Sequence, residues 1–310
     1  MGLGIKVFAP ASVANLACGY DILGLALHKP GDEIIFRKKD AKGLVISKIT
    51  GADRKLPTDV QLNTAGQAVY QLLKSVEMEE IGLDMEIHKK MPSGSGLGSS
   101  AASAAAAVWG ANNLLNIGLT KRELLHFAVL GEQAADGSYH ADNVAPSLLG
   151  GMIFIRDNES LDIHKLPSFP GLYVAIVHPS ITIMTKDARD ILSKDVLLKD
   201  HIHQSGNVGG LIIGMYTSDI ELLSRSLNDI IIEPQRASLI PHFYEVKEAA
   251  LKAGALGCSI SGAGPSIFAI CPNSLVAEEA SLAMARVFKK NNIDSNPFTS
   301  GINHEGAVIL

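Results

Sequence analysis

Met91-Pro-Ser-Gly-Ser-Gly-Leu-Gly-Ser-Ser-Ala-Ala102 is the stretch from which the rest of the chain can be read. Gly94, Gly96 and Gly98 alternate with small or apolar residues, Ser99 and Ser100 follow, and an alanine-rich run predicted to be helical over about 99–115 comes next. A loop without side-chain bulk lets backbone N–H groups approach an anion closely, and the free N–H groups of a helix start add partial positive charge. A nucleotide is therefore the first ligand to consider. Known phosphate-loop patterns are excluded one by one. A Walker loop needs Lys and then Ser/Thr after its last glycine, where this chain has Ser99. A G-x-G-x-x-G fingerprint counted from Gly94 meets Ser99 in its last place, and neither H-R-D nor D-F-G occurs.

Working outward, Leu83–His88 alternates as a strand and leads straight into the loop. Strands are also predicted at 3–8, Asp32–Arg37 and Leu44–Thr50. Asn63 is placed to cap a helix with an apolar stripe at 65, 68, 69, 72, 73 and 76. Thr120-Lys-Arg-Glu123 is a capping-box pattern, and the apolar face it opens runs through Leu124, Leu125 and Ala128 to Glu132. A carboxylate on such a stripe marks either a helix end emerging into solvent or a ligand for a metal or phosphate. Beyond Gly150-Gly151 come strands at Met152–Arg156 and Tyr173–His178, with Pro167–Gly171 as a turn between them. The second half alternates helices (about 185–192, 200–216, 218–228, 241–253, 275–290) with strands (256–261, 265–271 and two near the C-terminus). A domain boundary is placed near 155–170, written as 1–160 and 161–310.

Composition narrows the function classes. The chain has 310 residues, 47% hydrophobic, with net charge −5 from 27 basic and 32 acidic side chains. No long basic run appears, which argues against nucleic acid as a partner; Arg37-Lys38-Lys39 reads as the exposed end of a strand. Residues 91–120 are uncharged, yet Ser, Asn and Gly interrupt them, so they read as a buried helix and not as a membrane span. Three cysteines, Cys18, Cys258 and Cys271, fit neither a zinc spacing nor a disulfide framework and suggest a reduced, cytoplasmic setting. His201-x-His203, on a helix, points its two rings apart and is not read as a metal pair.

The loop resembles the nucleotide loop of the GHMP kinases, a superfamily of small-molecule kinases. The resemblance extends over nearly the whole chain and narrows to its homoserine kinase branch. It is carried by Ala9-Pro-Ala-Ser-Val-Ala-Asn-Leu-Ala-Cys-Gly-Tyr-Asp-Ile-Leu-Gly24, Tyr139-His-Ala-Asp-Asn-Val-Ala-Pro146, Asp187-Ala-Arg189, Glu233-Pro-Gln-Arg236 and Ile260-Ser-Gly-Ala-Gly-Pro-Ser-Ile-Phe268. It implies an α+β chain of two domains with the active site in the cleft between them. It also implies phosphoryl transfer from ATP, with Mg²⁺, to the hydroxyl of L-homoserine on the route to threonine. By the same resemblance Met91, Pro92, Ser93, Gly94, Ser95, Gly96, Leu97, Gly98, Ser99, Ser100 and Ala101 form the ATP loop, and Ser100 and Glu132 hold the metal. Asp21 would take the substrate ammonium, Arg189 and Arg236 its carboxylate, while Asn15, Asn143 and His140 orient it, the last two at the reacting group. Standing alone, Arg189 and Arg236 read as surface ion-pair residues, Asn15 and Asp21 as turn residues, and His140 as a loop histidine with a backbone partner. On this resemblance Asn143 stands where other members have an aspartate base, which leaves neighbouring Asp142 as an alternative base. Homodimers are common in the family.

Overall fold

A computed structural model describes residues 4–137, 139–167 and 170–310. Two sheets organise the chain. The first is built on the antiparallel pair β1 (Gly4–Ala14) and β2 (Leu23–Lys38). β3 (Leu44–Thr50) and β4 (Leu83–His88) run parallel to each other, joined by helix α1 (Thr64–Ser75), and β4 pairs with the second half of β2. The first half of β2 pairs instead with β5 (Met152–Asp157), which forms a hairpin with β6 (Asp162–Leu166). Because β6 belongs to the first sheet, a division at 160/161 falls inside that hairpin. The turn expected at Pro167–Gly171 contains Ser168 and Phe169, which lie outside the described residues, as does Leu3 of the strand expected at 3–8.

Helix α2 (Ser99–Leu115) is almost wholly buried, and its alanines let it lie close on β1 and β2. A Cβ on Gly110 would stand 2.7 Å from the buried Phe36 ring, so even an alanine there would have to push the ring or the helix aside. Helix α3 (Lys121–Asp136) begins with the expected capping box, in which Thr120 and Glu123 satisfy each other's backbone N–H. Asn63 caps α1 by accepting from Ala65 and Gly66 N–H. A short helix α4 (Val144–Leu149), not expected from the sequence, follows the 139–143 loop.

The second sheet has β10 (Ser295–Gly301), β7 (Tyr173–Pro179), β9 (Ile267–Cys271) and β8 (Gly257–Ile260) in that order, all antiparallel. Side chains alternate across it. Val174 and Ile176 join the first sheet's core, whereas Ala175 and Val177 join a second core under α9 (Phe243–Lys252) and α10 (Ser274–Lys290). Along the chain between β7 and α9 come α5 (Thr185–Asp190), α6 (Leu198–Thr217), α7 (Ile220–Ser226) and α8 (Glu233–Arg236). The chain ends by returning β11 (Val308–Ile309) to the edge of the first sheet beside β1. Both sheets therefore contribute to the first of these two cores.

Candidate active site

A cleft of about 680 Å³ lies between the glycine loop on one side and Asp21, His140, Asp142, Asn143, Arg189 and Arg236 on the other. Gly94, Gly96 and Gly98 all have positive φ, at 66°, 76° and 66°. At two of them the tight approach explains why no side chain stands there. A Cβ on Gly96 would lie 2.4 Å from the Ser261 carbonyl oxygen, and one on Gly98 would lie 2.2 Å from Ser12 Oγ. Gly98 is the N-cap of α2 and offers no side-chain cap, so the first-turn N–H groups are left for an anion. Of the expected loop residues, Ser93 to Gly96 and Gly98 to Ser100 line the cleft. Met91, Leu97 and Ala101 turn their side chains into the core, and Pro92 does not reach the cleft, so these four can serve a nucleotide only through the backbone.

The 260–268 motif docks onto this loop. Ser261 Oγ donates to Gly96 O at 2.7 Å, and Ser266 N–H donates to Ser95 O at 3.2 Å. Gly262 O accepts from Asn15 Nδ2 at 3.0 Å and from Arg236 Nη1 at 2.9 Å, which ties the N-terminal motif, the second sheet and α8 into one wall. Asn15 and Asp21 are indeed turn residues, at φ 73° and 58°, and Asn15 Oδ1 accepts the Asp21 N–H at 3.1 Å. The turn is what aims the Asp21 carboxylate into the cleft.

Asp21 is ion-paired with Arg189, whose Nη1 and Nη2 donate to its two carboxylate oxygens at 3.1 and 3.2 Å. Arg236 is 3% exposed and donates also to Ala188 O at 2.9 Å, so of the two it is the more firmly held. Burial and the charge of Asp142 raise the Asp21 carboxyl above its ordinary range against the pull of Arg189. His140 Nδ1 lies 2.8 Å from Asp142 Oδ1. Burial opposes charging that ring, but the hydrogen bond to Asp142, its charge and that of Asp21 prevail and raise His140 to about 9. At neutral pH it is an imidazolium. Asn143 Oδ1 accepts from Ser12 Oγ at 2.8 Å, which fixes which way its amide faces. Glu132 is 9% exposed, and its Oε2 accepts from Ser100 Oγ at 2.9 Å, so α3 does not carry this carboxylate out into solvent. His201 and His203 are exposed and belong to no metal-binding cluster among the described residues.

Lys89 and Asp32 were not anticipated. The Lys89 ammonium pairs with Asp32 and donates to Ser99 O and Ser103 Oγ, both at 2.8 Å. Asp32 accepts in addition from Lys90 N–H at 2.9 Å and from Ser103 Oγ at 2.9 Å. A signal existed: Leu83, Met85 and Ile87 set the inward phase of β4 and Ile34 and Phe36 that of β2, and a period of two carries those phases to Lys89 and Asp32.

Comparison with known proteins agrees with this fold. Residues 63–151 match the GHMP kinases N terminal domain and residues 211–290 the GHMP kinases C terminal domain, the class to which fold and loop point. The homoserine kinase of Chlorobium phaeovibrioides is 46% identical, with 99% of each chain covered, and that of Chloroherpeton thalassium is 46% identical with 98% of each covered. The crystal structure of homoserine kinase from Cytophaga hutchinsonii superposes with a TM-score of 0.97 at 48% identity, covering 100% of this chain and 98% of that one. The L. major mevalonate kinase, at 16% identity and a TM-score of 0.73, shares the fold alone. The chain belongs to the homoserine kinases of the GHMP superfamily.

Proposed function

We propose that this protein transfers the γ-phosphoryl group of ATP to the side-chain hydroxyl of L-homoserine, giving O-phospho-L-homoserine and ADP in threonine biosynthesis. The observation that carries this reading is the convergence of Asp21, Arg189 and Arg236 across one cleft from the glycine loop. An amino-acid zwitterion needs an anion for its ammonium and a cation for its carboxylate, and arginine forks match a carboxylate in plane. Mevalonate, which has no ammonium, would leave Asp21 without a use. The full-length relationship to homoserine kinases supports the same substrate.

Phosphoryl transfer is mostly positioning and charge neutralisation. The substrate oxygen forms a bond to Pγ as the bond from Pγ to the β–γ bridging oxygen breaks, releasing ADP. The loop N–H groups from Gly94 to Ser100 would cradle the phosphates. Ser100 and Glu132 present oxygen ligands side by side at the cleft, a donor set that fits Mg²⁺. That ion supplies neutralisation of the phosphate charge when bound. Asp142 is engaged by the His140 imidazolium, and Asn143 is no base, so the hydroxyl proton leaves without a strong protein base, passing to the transferred phosphoryl group or to solvent. His140 and Asn143 orient the acceptor.

We place the protein in the cytoplasm, since its three cysteines are buried and free, and among the described residues no helix is long and apolar enough to cross a membrane. The deciding experiment is ADP release with homoserine, serine, threonine, mevalonate and shikimate, with and without a chelator of divalent cations. Turnover on homoserine that the chelator abolishes is expected. Turnover on mevalonate with none on homoserine would overturn the reading.

A further inference from the structure

Tyr20 stands behind the cleft, outside the residues that line it, and touches both arginines. Its hydroxyl oxygen accepts from Arg189 Nη1 at 3.1 Å and from Arg236 Nη2 at 3.3 Å. Its ring centroid lies 5.8 Å from the Arg189 guanidinium carbon and 4.9 Å from that of Arg236. Two guanidinium groups that must serve one carboxylate repel each other while the site is empty. A phenol that gives both an acceptor oxygen and a π face offsets that repulsion without adding a charge that would compete with the ligand. The other contacts of the two arginines diverge. Arg189 turns to Asp21, whereas Arg236 turns to Ala188 O and Gly262 O. Among the described residues, Tyr20 is the side chain hydrogen-bonded to both.

We propose that Tyr20 is a positioning residue for the substrate carboxylate: its hydroxyl holds Arg189 and Arg236 side by side so that both forks face one ligand. This rests on the amino-acid kinase reading given above. The phenol is suited to the task because burial and the charge of Asp21 raise its pKa, despite the nearby arginines, so it stays neutral across the working pH range. Tyr20 immediately precedes Asp21 in the N-terminal motif, but the two arginines it joins lie far along the chain.

Tyr20→Phe keeps the ring and removes only the oxygen, so it tests the bridge without opening a cavity. The expected result is a rise of about tenfold in KM for L-homoserine, the loss typical of one hydrogen bond to a charged group. kcat should stay within about twofold and KM for ATP should not change, while the thermal midpoint of the free protein falls by no more than about 2–4 °C as the two guanidiniums lose that oxygen. Tyr20→Leu, which also removes the π face, should raise the homoserine KM further. Wild-type turnover on homoserine combined with an unchanged KM in Tyr20→Phe would sink this proposal alone. So would a loss confined to kcat, or an equal rise in both KM values. A wild-type protein that turns over no homoserine would sink the functional reading and this proposal together.

Discussion

Two aspartate–cation pairs border the same cleft, and they use their hydrogen-bonding groups to very different extents. In the pair Asp32–Lys89 the side chains are 0% and 6% exposed. The ammonium has three N–H groups, and it has three partners: Asp32, Ser99 O and Ser103 Oγ. In the pair Asp21–Arg189 the side chains are 26% and 28% exposed, and the buried Arg189 Nε has no hydrogen-bond partner among the described residues. A buried pair pays back its desolvation only when its remaining groups are satisfied. The first pair meets that condition and leaves Lys89 nothing to offer a phosphate; it fastens the first turn of α2 to the sheet beneath the loop. The second pair is only partly satisfied, and each half is the kind of group a zwitterion would claim. On the proposed reading the substrate ammonium would replace Arg189 beside Asp21 while its carboxylate takes the guanidinium, and the pair would then be a crude image of the ligand.

The sharpest way to break this contrast is Lys89→Met. It strands the Asp32 carboxylate in the core, and unfolding in urea should show a loss of about 3–5 kcal/mol. Adding Asp32→Leu should return much of that loss, because no buried charge remains. A Lys89→Met protein with an unchanged midpoint and only a raised KM for ATP would make Lys89 a nucleotide ligand and erase the distinction. Arg189→Met should do the reverse. Its pair is partly solvated, so stability should change by less than about 1 kcal/mol, while kcat/KM for homoserine falls roughly 100-fold, as for loss of charged hydrogen bonds. A large fall in thermal stability with substrate affinity retained would show that this pair, too, is structural.

The two pairs also differ in how far the sequence reveals them. Local signals were strong: the Asn63 cap, the strand Leu83–His88 and the helix Ser99–Leu115 match the expected elements residue for residue, because capping and alternation act within a few positions. The same alternation contains Lys89 and Asp32, yet a lysine after an apolar strand reads as its solvated end unless the phase is carried one step on. The first half of β2 was missed for a related reason. His28-Lys-Pro-Gly31 looks like a turn, and it is absorbed in the structure by a register shift in the pairing with β1 between Pro10 and Ser12. Arg189 and Asp21 are 168 positions apart. Nothing local connects them, and their adjacency depends on α5 packing against the 15–21 turn. Only resemblance to a family motif suggested that they share a site. The same holds for Tyr20, whose role depends on two guanidiniums delivered by separate helices.

The smallest expected effect concerns the third charge pair at the cleft, His140–Asp142, which sharpens the contrast by being tunable. His140 has a pKa of about 9 in the folded protein, above the ordinary value of 6.5, so charging the ring favours folding. That contribution is fully present below about pH 6.5 and is lost as pH rises through about 9, because the unfolded chain gives up its proton first. Between pH 7 and 9 the wild-type protein should lose about 2 kcal/mol from this group. Asp142→Asn keeps an acceptor oxygen but removes the larger charge that holds the imidazolium and weakens the hydrogen bond to it, leaving burial and Arg189 to lower the ring's pKa against Asp21 as the remaining charge. Denaturant titrations of the variant should therefore be flatter than wild type across that range. The same protein addresses the chemistry. If Asp142 only balances His140, Asp142→Asn should keep a measurable kcat at pH 7. A variant that binds homoserine normally but turns nothing over would make Asp142 the base, and the ion pair with His140 would then be a means of holding that base in place.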